Sequence, residues 1–531
     1  MSDNSTGSSA LYEWLIESVH RLESVKQQEG SVTRWLEDIR VMTDMECTCV
    51  LQGKSLTRGS ADVVFSAPTS LKDMMDSIKA RAHVISSEFT KLFKRLEKDR
   101  WRYIRSGTLR ITYHIRSMLH DCNNFLTNPP QQFVQYQQDV MADCAKLAQF
   151  VDSYLEVNGT KPQKSGLVQL LTSLGQSFSL LVDTTLRHMI KGLLGSIQQN
   201  DSEASLRSAI NNLLHFALDG EHMSYLIATE GGVRVLFGVC QQEDHMPCRS
   251  RALRAIATIC CVTESILQLE EVGGVSHLSD ILADPTTDEV IRAEAAGVIA
   301  QVTSPALDHY QHLGGFLEHM DDLVRSLTVL CVEASNQEVF LLGSAALANI
   351  TFMDPLACDY LLHYHSARAL IETCQVHKDQ TLFAKDQVAT VLANMAAIDS
   401  CCAEIIDNKG VELLVHFLME KPAVVGTDTE LAACERVQQK ASIALARLSR
   451  DTETAQKIVD LQGIPRLVQL CKVPQTRNKS DAVLVAALAA LRKICSMCEL
   501  KEFDQPELKK LIEPKLMDSF MYCSGAEESY V

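Results

Sequence analysis

Apolar residues recur at three- and four-residue steps over most of the chain, and the helices they predict change character along it. Residues 71–156 read as three long helices, LKDMMDSIKARAHVISSEFTKLFKRLEKD, WRYIRSGTLRITYHIRSMLHDCNNFL and QQFVQYQQDVMADCAKLAQFVDSYLEV. The pair Pro129 and Pro130 parts the second from the third, because proline has no N–H to carry a helix on. A fourth helical stretch, 166–198, follows. From Ser205 the helices become shorter and richer in small residues, separated by polar turns and by glycines that precede a bulky residue. The patterning predicts an all-α protein.

The small-residue helices AINNLL, AIATIC, VIAQVT, ALANIT, VLANMA, ALARLS and ALRKIC align on one another, which places Asn212, Thr258, Gln301, Asn349, Asn394, Arg447 and Lys493 at equivalent positions. The steps between them are 46, 43, 48, 45, 53 and 46 residues. Their mean, about 47, lies at the upper edge of the armadillo and HEAT periods. Gly232-Val233, Gly274-Val275, Gly410-Val411 and Gly463-Ile464 each introduce a Leu-containing helix, where glycine can release the preceding helix into a sharp turn. The repeat that runs from Gly315 to Ser366 lacks this glycine. Over 205–522 the chain resembles the armadillo repeat, an α-solenoid whose third helix lines a groove. The resemblance implies that the aligned residues meet an extended ligand, a task suited to side chains with both donor and acceptor such as Asn212, Asn349 and Asn394. Thr258 and Gln301 keep part of that capacity, while Arg447 and Lys493 make the C-terminal end more cationic.

At 531 residues the chain exceeds what one core serves, so an array or several units is expected. A net charge of −17 argues against general nucleic-acid binding, which depends on Lys and Arg neutralising phosphates. The basic, aromatic run 91–116 is a local exception whose composition suits either an anion, RNA or lipid surface or a solvated helix face. The 18 cysteines are scattered through apolar helical segments rather than spaced as a disulfide framework, which points to reducing cytosol. No secretory leader and no uninterrupted apolar span of about 18 residues occurs, so no membrane span is expected. P-loop, nucleophile-elbow, H-E-x-x-H and kinase signatures are absent, and Cys495-x-x-Cys498 has no second pair at zinc spacing. The expectation is a protein that is not an enzyme and needs no metal or other cofactor.

Two end segments carry binding chemistry. In 31–52, SVTRWLEDIRVMTDMECTCVLQ, Val32, Trp35, Leu36, Ile39 and Met42 form one apolar helical stripe, and Glu46 to Leu51 favours an extended tail. So short a helix is marginal alone and wants a partner's groove. Polar, turn-rich residues 53–69 read as a flexible linker that frees this otherwise disordered peptide. Tyr12, Trp14, Leu15 and Leu22 make another possible amphipathic helix with no assigned role. The tail 523–531 ends in Ser529-Tyr530-Val531, which resembles a class I ligand for PDZ domains, taken up as an added strand with its carboxylate held by backbone N–H groups.

The segment from Val32 to Leu51, the armadillo-like body and the PDZ-type tail together resemble the Inscuteable family of spindle-orientation adaptors. That resemblance implies that the N-terminal peptide lies along the tetratricopeptide repeats of LGN (Pins), with Trp35, Leu36, Ile39 and Met42 as helical anchors. Glu37, Asp38, Asp44 and Glu46 then meet the basic lining of that groove, and Cys47, Cys49 and Leu51 continue as the extended part. It further implies contact between the array and a Bazooka-type partitioning-defective polarity scaffold, through it atypical protein kinase C, and localisation in the cytoplasm and at the polarised cell cortex. The domain order is then peptide segment 1–52, linker 53–69, helical region 70–200, armadillo-like repeats 205–522 and tail 523–531. The competing reading is an armadillo cargo or trafficking adaptor of β-catenin or importin type.

Overall fold

The computed structural model describes residues 70–98, 103–125, 131–156, 164–199, 202–242, 246–305, 315–354, 356–377, 379–423, 426–498, 506–513 and 515–524. Both end segments singled out above, 31–52 and 529–531, lie outside the described residues. The described residues are all-α, with turns and one short 3₁₀ segment between helices. They pack as two units, 70–216 with Leu226–Gly232, and Ala217–Tyr225 with 233–524.

Four long helices open the first unit: α1 (Ser70–Glu97), α2 (Ile104–Phe125), α3 (Gln131–Glu156) and α4 (Lys164–Gln199). Helix α1 packs on α2 and α4, and α3 packs on the same two neighbours, which closes a four-membered bundle. The heptad-like series Ile78, Ile85, Leu92 and Leu96 on α1 faces inward, as do Ile111, Ile115 and Met118 on α2 and Leu174, Leu181 and Ile190 on α4. Among the described residues α4 is the one helix long and apolar enough to cross a membrane, yet its apolar side is packed on α1 and α3. Polar ties fix the pairing. Ser173 and Ser177 of α4 each donate to Asp143 Oδ2 of α3 at 2.9 Å. Burial opposes ionisation of Asp143, but Lys146 and the two hydroxyls outweigh it and hold the carboxyl below its ordinary range. Across α1 and α2, Glu88 meets Lys91 and Arg110, both at 2.8 Å. Their hydrogen bonds lower its pKa to about 2.

Helix α5 (Glu203–Ala217) follows, and then α6 (Glu221–Thr229), α7 (Gly232–Cys240) and α8 (Met246–Ile259) begin a recurring pattern of two short helices and a longer third. It repeats in α9 (Thr263–Glu271), α10 (Gly274–Ala283) and α11 (Glu289–Val302). Next come α12 (Phe316–Glu333) and α13 (Gln337–Ile350), two helices among the described residues of that repeat. Full triplets resume in α14 (Leu356–His363), α15 (Ser366–Val376) and α16 (Leu382–Met395), and in α17 (Asp399–Asp407), α18 (Gly410–Leu418) and α19 (Asp428–Leu448). The last triplet is α20 (Thr452–Asp460), α21 (Gly463–Lys472) and α22 (Asp481–Met497), and α23 (Pro506–Ile512) and α24 (Leu516–Ser524) end the described chain. The third helices α8, α11, α13, α16, α19 and α22 pack each on the next, as an α-solenoid requires. Their small residues explain how: Ala293, Ala296, Ala346, Ala389, Ala441 and Ala487 are fully buried, so neighbouring backbones approach closely.

Local chemistry starts five of these helices. Asp288, Asn336, Thr381, Thr427 and Ser480 cap α11, α13, α16, α19 and α22, each accepting a hydrogen bond from a first-turn N–H. Thr427 with Glu430 completes a capping box.

The turn glycines act differently from the sequence expectation. The left-handed residue that breaks the chain direction is the one before the glycine, Lys409 at φ 65° and Gln462 at φ 63°. Gly410 itself opens α18, and a Cβ there would fall 2.5 Å from Ile405 Cγ2 and 2.6 Å from the Ile405 carbonyl oxygen. Glycine is required for close approach rather than for turning. In the repeat without a glycine, His365 takes the left-handed conformation at φ 53° and Ser366 opens α15, its hydroxyl 2.7 Å from that of Thr328.

Candidate binding face on the third helices

The structure places the aligned polar residues near the C-terminal ends of the third-type helices, in unlike surroundings. Asn212 on α5 is half-buried. Thr258 on α8 is buried and returns its hydroxyl to the Arg254 carbonyl of its own helix at 2.9 Å. Gln301 on α11 is buried. The next three form a series. Asn349 Nδ2 donates to the Ala300 carbonyl at 2.7 Å, Asn394 Nδ2 to Thr351 Oγ1 at 2.7 Å, and Arg447 Nη1 to the Ala393 carbonyl at 2.6 Å. Arg450 adds a bond from Nη2 to the Ala396 carbonyl at 3.0 Å. Lys493 on α22 is exposed, its Nζ 3.9 Å from Met497 Sδ.

A helix leaves its last four carbonyls without partners inside the helix. On α11 and α16 the side chain of the following third helix supplies a partner, Asn349 for the first and Arg447 for the second. Asn349 and Asn394 thus spend donor capacity within the array, where the resemblance assigned it to a ligand's backbone. Their amide oxygens and the exposed cations Arg447 and Lys493 are the capacity that remains.

Two buried charge sets flank this row, and the aligned positions alone do not announce them. Arg254 Nη2 of α8 lies 2.6 Å from Glu294 Oε1 of α11. Burial pushes the Glu294 carboxyl up and Arg254 opposes the shift. On α16, Asp386 is 1% exposed and receives Lys440 Nζ at 2.6 Å and Arg436 Nε at 2.8 Å, both from α19. Burial works to raise the Asp386 carboxyl and Lys440 works to lower it. The net direction is upward, and the two cations that donate to the carboxyl oppose it. The sequence did hold a signal for both sets, a charged residue seven or eight places before the aligned position: Glu294 before Gln301, Asp386 before Asn394 and Lys440 before Arg447. Arg436, Lys440 and Arg447 lie at helical steps on one side of α19, which makes this end of the row basic.

The C-terminal repeats are also tied through backbone oxygens. Buried Arg466 donates from Nε to Leu418 O at 2.9 Å and from Nη2 to Glu420 O at 2.7 Å, and Gln438 Nε2 reaches Glu420 O at 2.8 Å and Thr476 O at 3.0 Å. Among the described residues no disulfide forms and no group of three or more His, Cys, Asp or Glu is placed to hold a metal ion. Cys495 is buried beside Cys498 and desolvation raises its thiol to about 12, so it stays protonated.

Stacked helical repeats with a continuous third-helix face define an armadillo-type α-solenoid, a class that works by presenting surface. Residues 81–531 match the family model described as Protein inscuteable C-terminal, and residues 28–59 match the Inscuteable LGN-binding domain, a span that encloses 31–52. Protein inscuteable homolog of Homo sapiens is 41% identical over 511 residues, 95% of this chain and 88% of that protein. The homolog of Mus musculus is 41% identical over 513 residues, again 95% of this chain and 88% of that protein. The chain belongs to the Inscuteable family. Similar solved structures include an engineered protein, 21% identical over 82% of this chain and 98% of its own length with a TM-score of 0.47. Another is a designed armadillo repeat protein, 22% identical over 48% of this chain and 99% of its own length, with a TM-score of 0.39.

Proposed function

We propose that this chain is a non-enzymatic adaptor that binds the tetratricopeptide repeats of LGN through its N-terminal peptide and carries LGN to the polarised cell cortex to orient the mitotic spindle. The match of residues 28–59 to the Inscuteable LGN-binding domain carries this reading. Trp35, Leu36, Ile39 and Met42 are the apolar anchors, and Glu37, Asp38, Asp44 and Glu46 the acidic guides. A buried aromatic anchor supplies affinity, whereas flanking carboxylates chiefly set orientation and on-rate. Cys47, Cys49 and Leu51 extend the contact.

The other end of the bridge is the array and the tail, which meet a Bazooka-type scaffold, through it atypical protein kinase C, and a PDZ domain at Ser529, Tyr530 and Val531. The internal use of Asn349 and Asn394 favours docking on the array's surface over capture of an extended backbone by an asparagine row. Fluorescence anisotropy of a labelled 28–59 peptide against the LGN repeat domain tests the first arm. Trp35→Ala should weaken binding by about 2 kcal/mol or more, as for a hot-spot residue. Equal affinity of the mutant peptide defeats the assignment.

A further inference from the structure

Helix α2 carries a face that neither the LGN-binding peptide nor the array explains. Residues 91–116 hold nine Lys or Arg against two acidic residues, which leaves 41 basic against 65 acidic in the rest of the chain. Residues 103–120 contain no Asp or Glu at all. The side of α2 that meets α1 is marked by Gly107, where a Cβ would fall 2.9 Å from Leu92 Cδ1. Arg105, Leu109, Tyr113 and Arg116 follow at steps of four, four and three, which sets them on the opposite side. They are exposed: Tyr113 by 70% and Leu109 by 57%, with Tyr103 near the helix start at 55%. Arg110 stands beside the stripe, held to Glu88 with 43% of its side chain open, and Arg95 lies 5.8 Å from the centre of the Tyr103 ring.

We propose that this face of α2 docks on a bilayer surface rich in anionic phospholipid. Its chemistry is interfacial: tyrosine and leucine side chains that enter the headgroup boundary, bordered by arginines whose stems lie along apolar surface while their heads meet phosphate. From Arg105 to Arg116 it runs about 16 Å along the axis, enough to lay about three turns on a flat surface. The stripe stands on the outward side of a single helix rather than in the angle between two, so it offers a plane and not a groove for a peptide. The excess of acidic residues across the rest of the chain acts in the same sense, since an anionic surface repels acidic stretches and favours approach by this basic one. Nucleic acid could share the arginines, but the exposed Leu109 suits it poorly.

The test uses the full-length protein and co-sedimentation with phosphatidylcholine vesicles that contain or lack phosphatidylserine. Binding is expected to the mixed vesicles and not to phosphatidylcholine alone, and to fall as salt is raised. Arg105→Glu with Arg116→Glu should reduce partitioning about fivefold for each arginine lost, before the added repulsion is counted. Tyr113→Ala should weaken binding without changing its salt dependence. Both variants alter exposed positions, and unchanged far-UV circular dichroism and melting temperature confirm that they fold. Equal binding to both vesicles, no binding to either, or wild-type binding by the charge-reversed variant would overturn the proposal. So would displacement from mixed vesicles by a short single-stranded RNA at lower concentration than by inositol phosphates. Because no LGN is present, the result is separate from that of the peptide assay.

Discussion

Replacing Asp386 with alanine probes how far the array depends on buried charge. The carboxylate is 1% exposed, and its two partners keep 15% (Arg436) and 24% (Lys440) of their side chains open. The substitution removes two charge-assisted hydrogen bonds and leaves two cations facing a cavity between α16 and α19. Breaking a buried pair by removing one partner costs about 3–5 kcal/mol, because the remaining charge is stranded. Lys440 can swing toward water, whereas Arg436 is held by its surroundings and already shifted down to about 10 by desolvation. The lower half of that range, about 3–4 kcal/mol, is therefore expected. Urea denaturation followed by circular dichroism reads it as a lower midpoint at unchanged slope for the transition of the array. Adding Arg436→Met and Lys440→Met to the alanine variant should recover most of the loss, since a well-packed apolar set matches a buried ionic one. A single variant within about 1 kcal/mol of wild type, or a triple variant no better than the single, refutes the reasoning.

Four further outcomes follow from other positions. Gly410→Ala should destabilise by about 1–3 kcal/mol in thermal melting, as its Cβ meets the Ile405 carbonyl, while Lys409→Gly should stabilise by about 1 kcal/mol through relief of left-handed backbone. Asn349→Ala should cost about 1–3 kcal/mol, as the Ala300 carbonyl loses its inter-repeat donor in a buried place, and hydrogen exchange should quicken at the end of α11. Glu88 titrates near 2 in the fold against an ordinary 4.5, a depressed value. Its contribution is complete above about 4.5 and is lost as pH falls toward 2, so Glu88→Gln should flatten the pH dependence of bundle stability in that window and leave neutral pH less stable than wild type.

The helices were legible because local periodicity decides them. Pro129 and Pro130 fall in sequence between α2 and α3, and six of the seven aligned small-residue segments, from AIATIC onward, are the stacked third helices, while AINNLL lies on α5. Less legible was anything set by a partner distant in the chain. The glycine rule pointed at Gly410, but the strained residue is Lys409, and glycine is needed because Ile405 lies underneath. Ser366 escaped the same rule, since a serine hydroxyl beside Thr328 fills a place that sequence pattern reserves for glycine. The asparagine row can be aligned from sequence, yet only packing shows that Asn349 and Asn394 reach back to the repeat before. The ion pairs of Asp386 are set by Arg436 and Lys440 of α19, 50 and 54 residues further on, which no local pattern joins to it. The peptide anchors from Trp35 to Leu51 rest on sequence and family alone.

The hydrogen bonds that run from Asn349 to Ala300 and from Arg447 to Ala393 all point one way, from a later repeat to an earlier one. Synthesis proceeds in the opposite order. As the chain leaves the ribosome, α11 and α16 emerge with these carbonyls open and each is finished only when the next third helix arrives, so completion trails elongation by 49 and 54 residues. Truncation follows from the same bonds: removing the repeats after α11 or after α16 uncaps the carbonyl that stays behind.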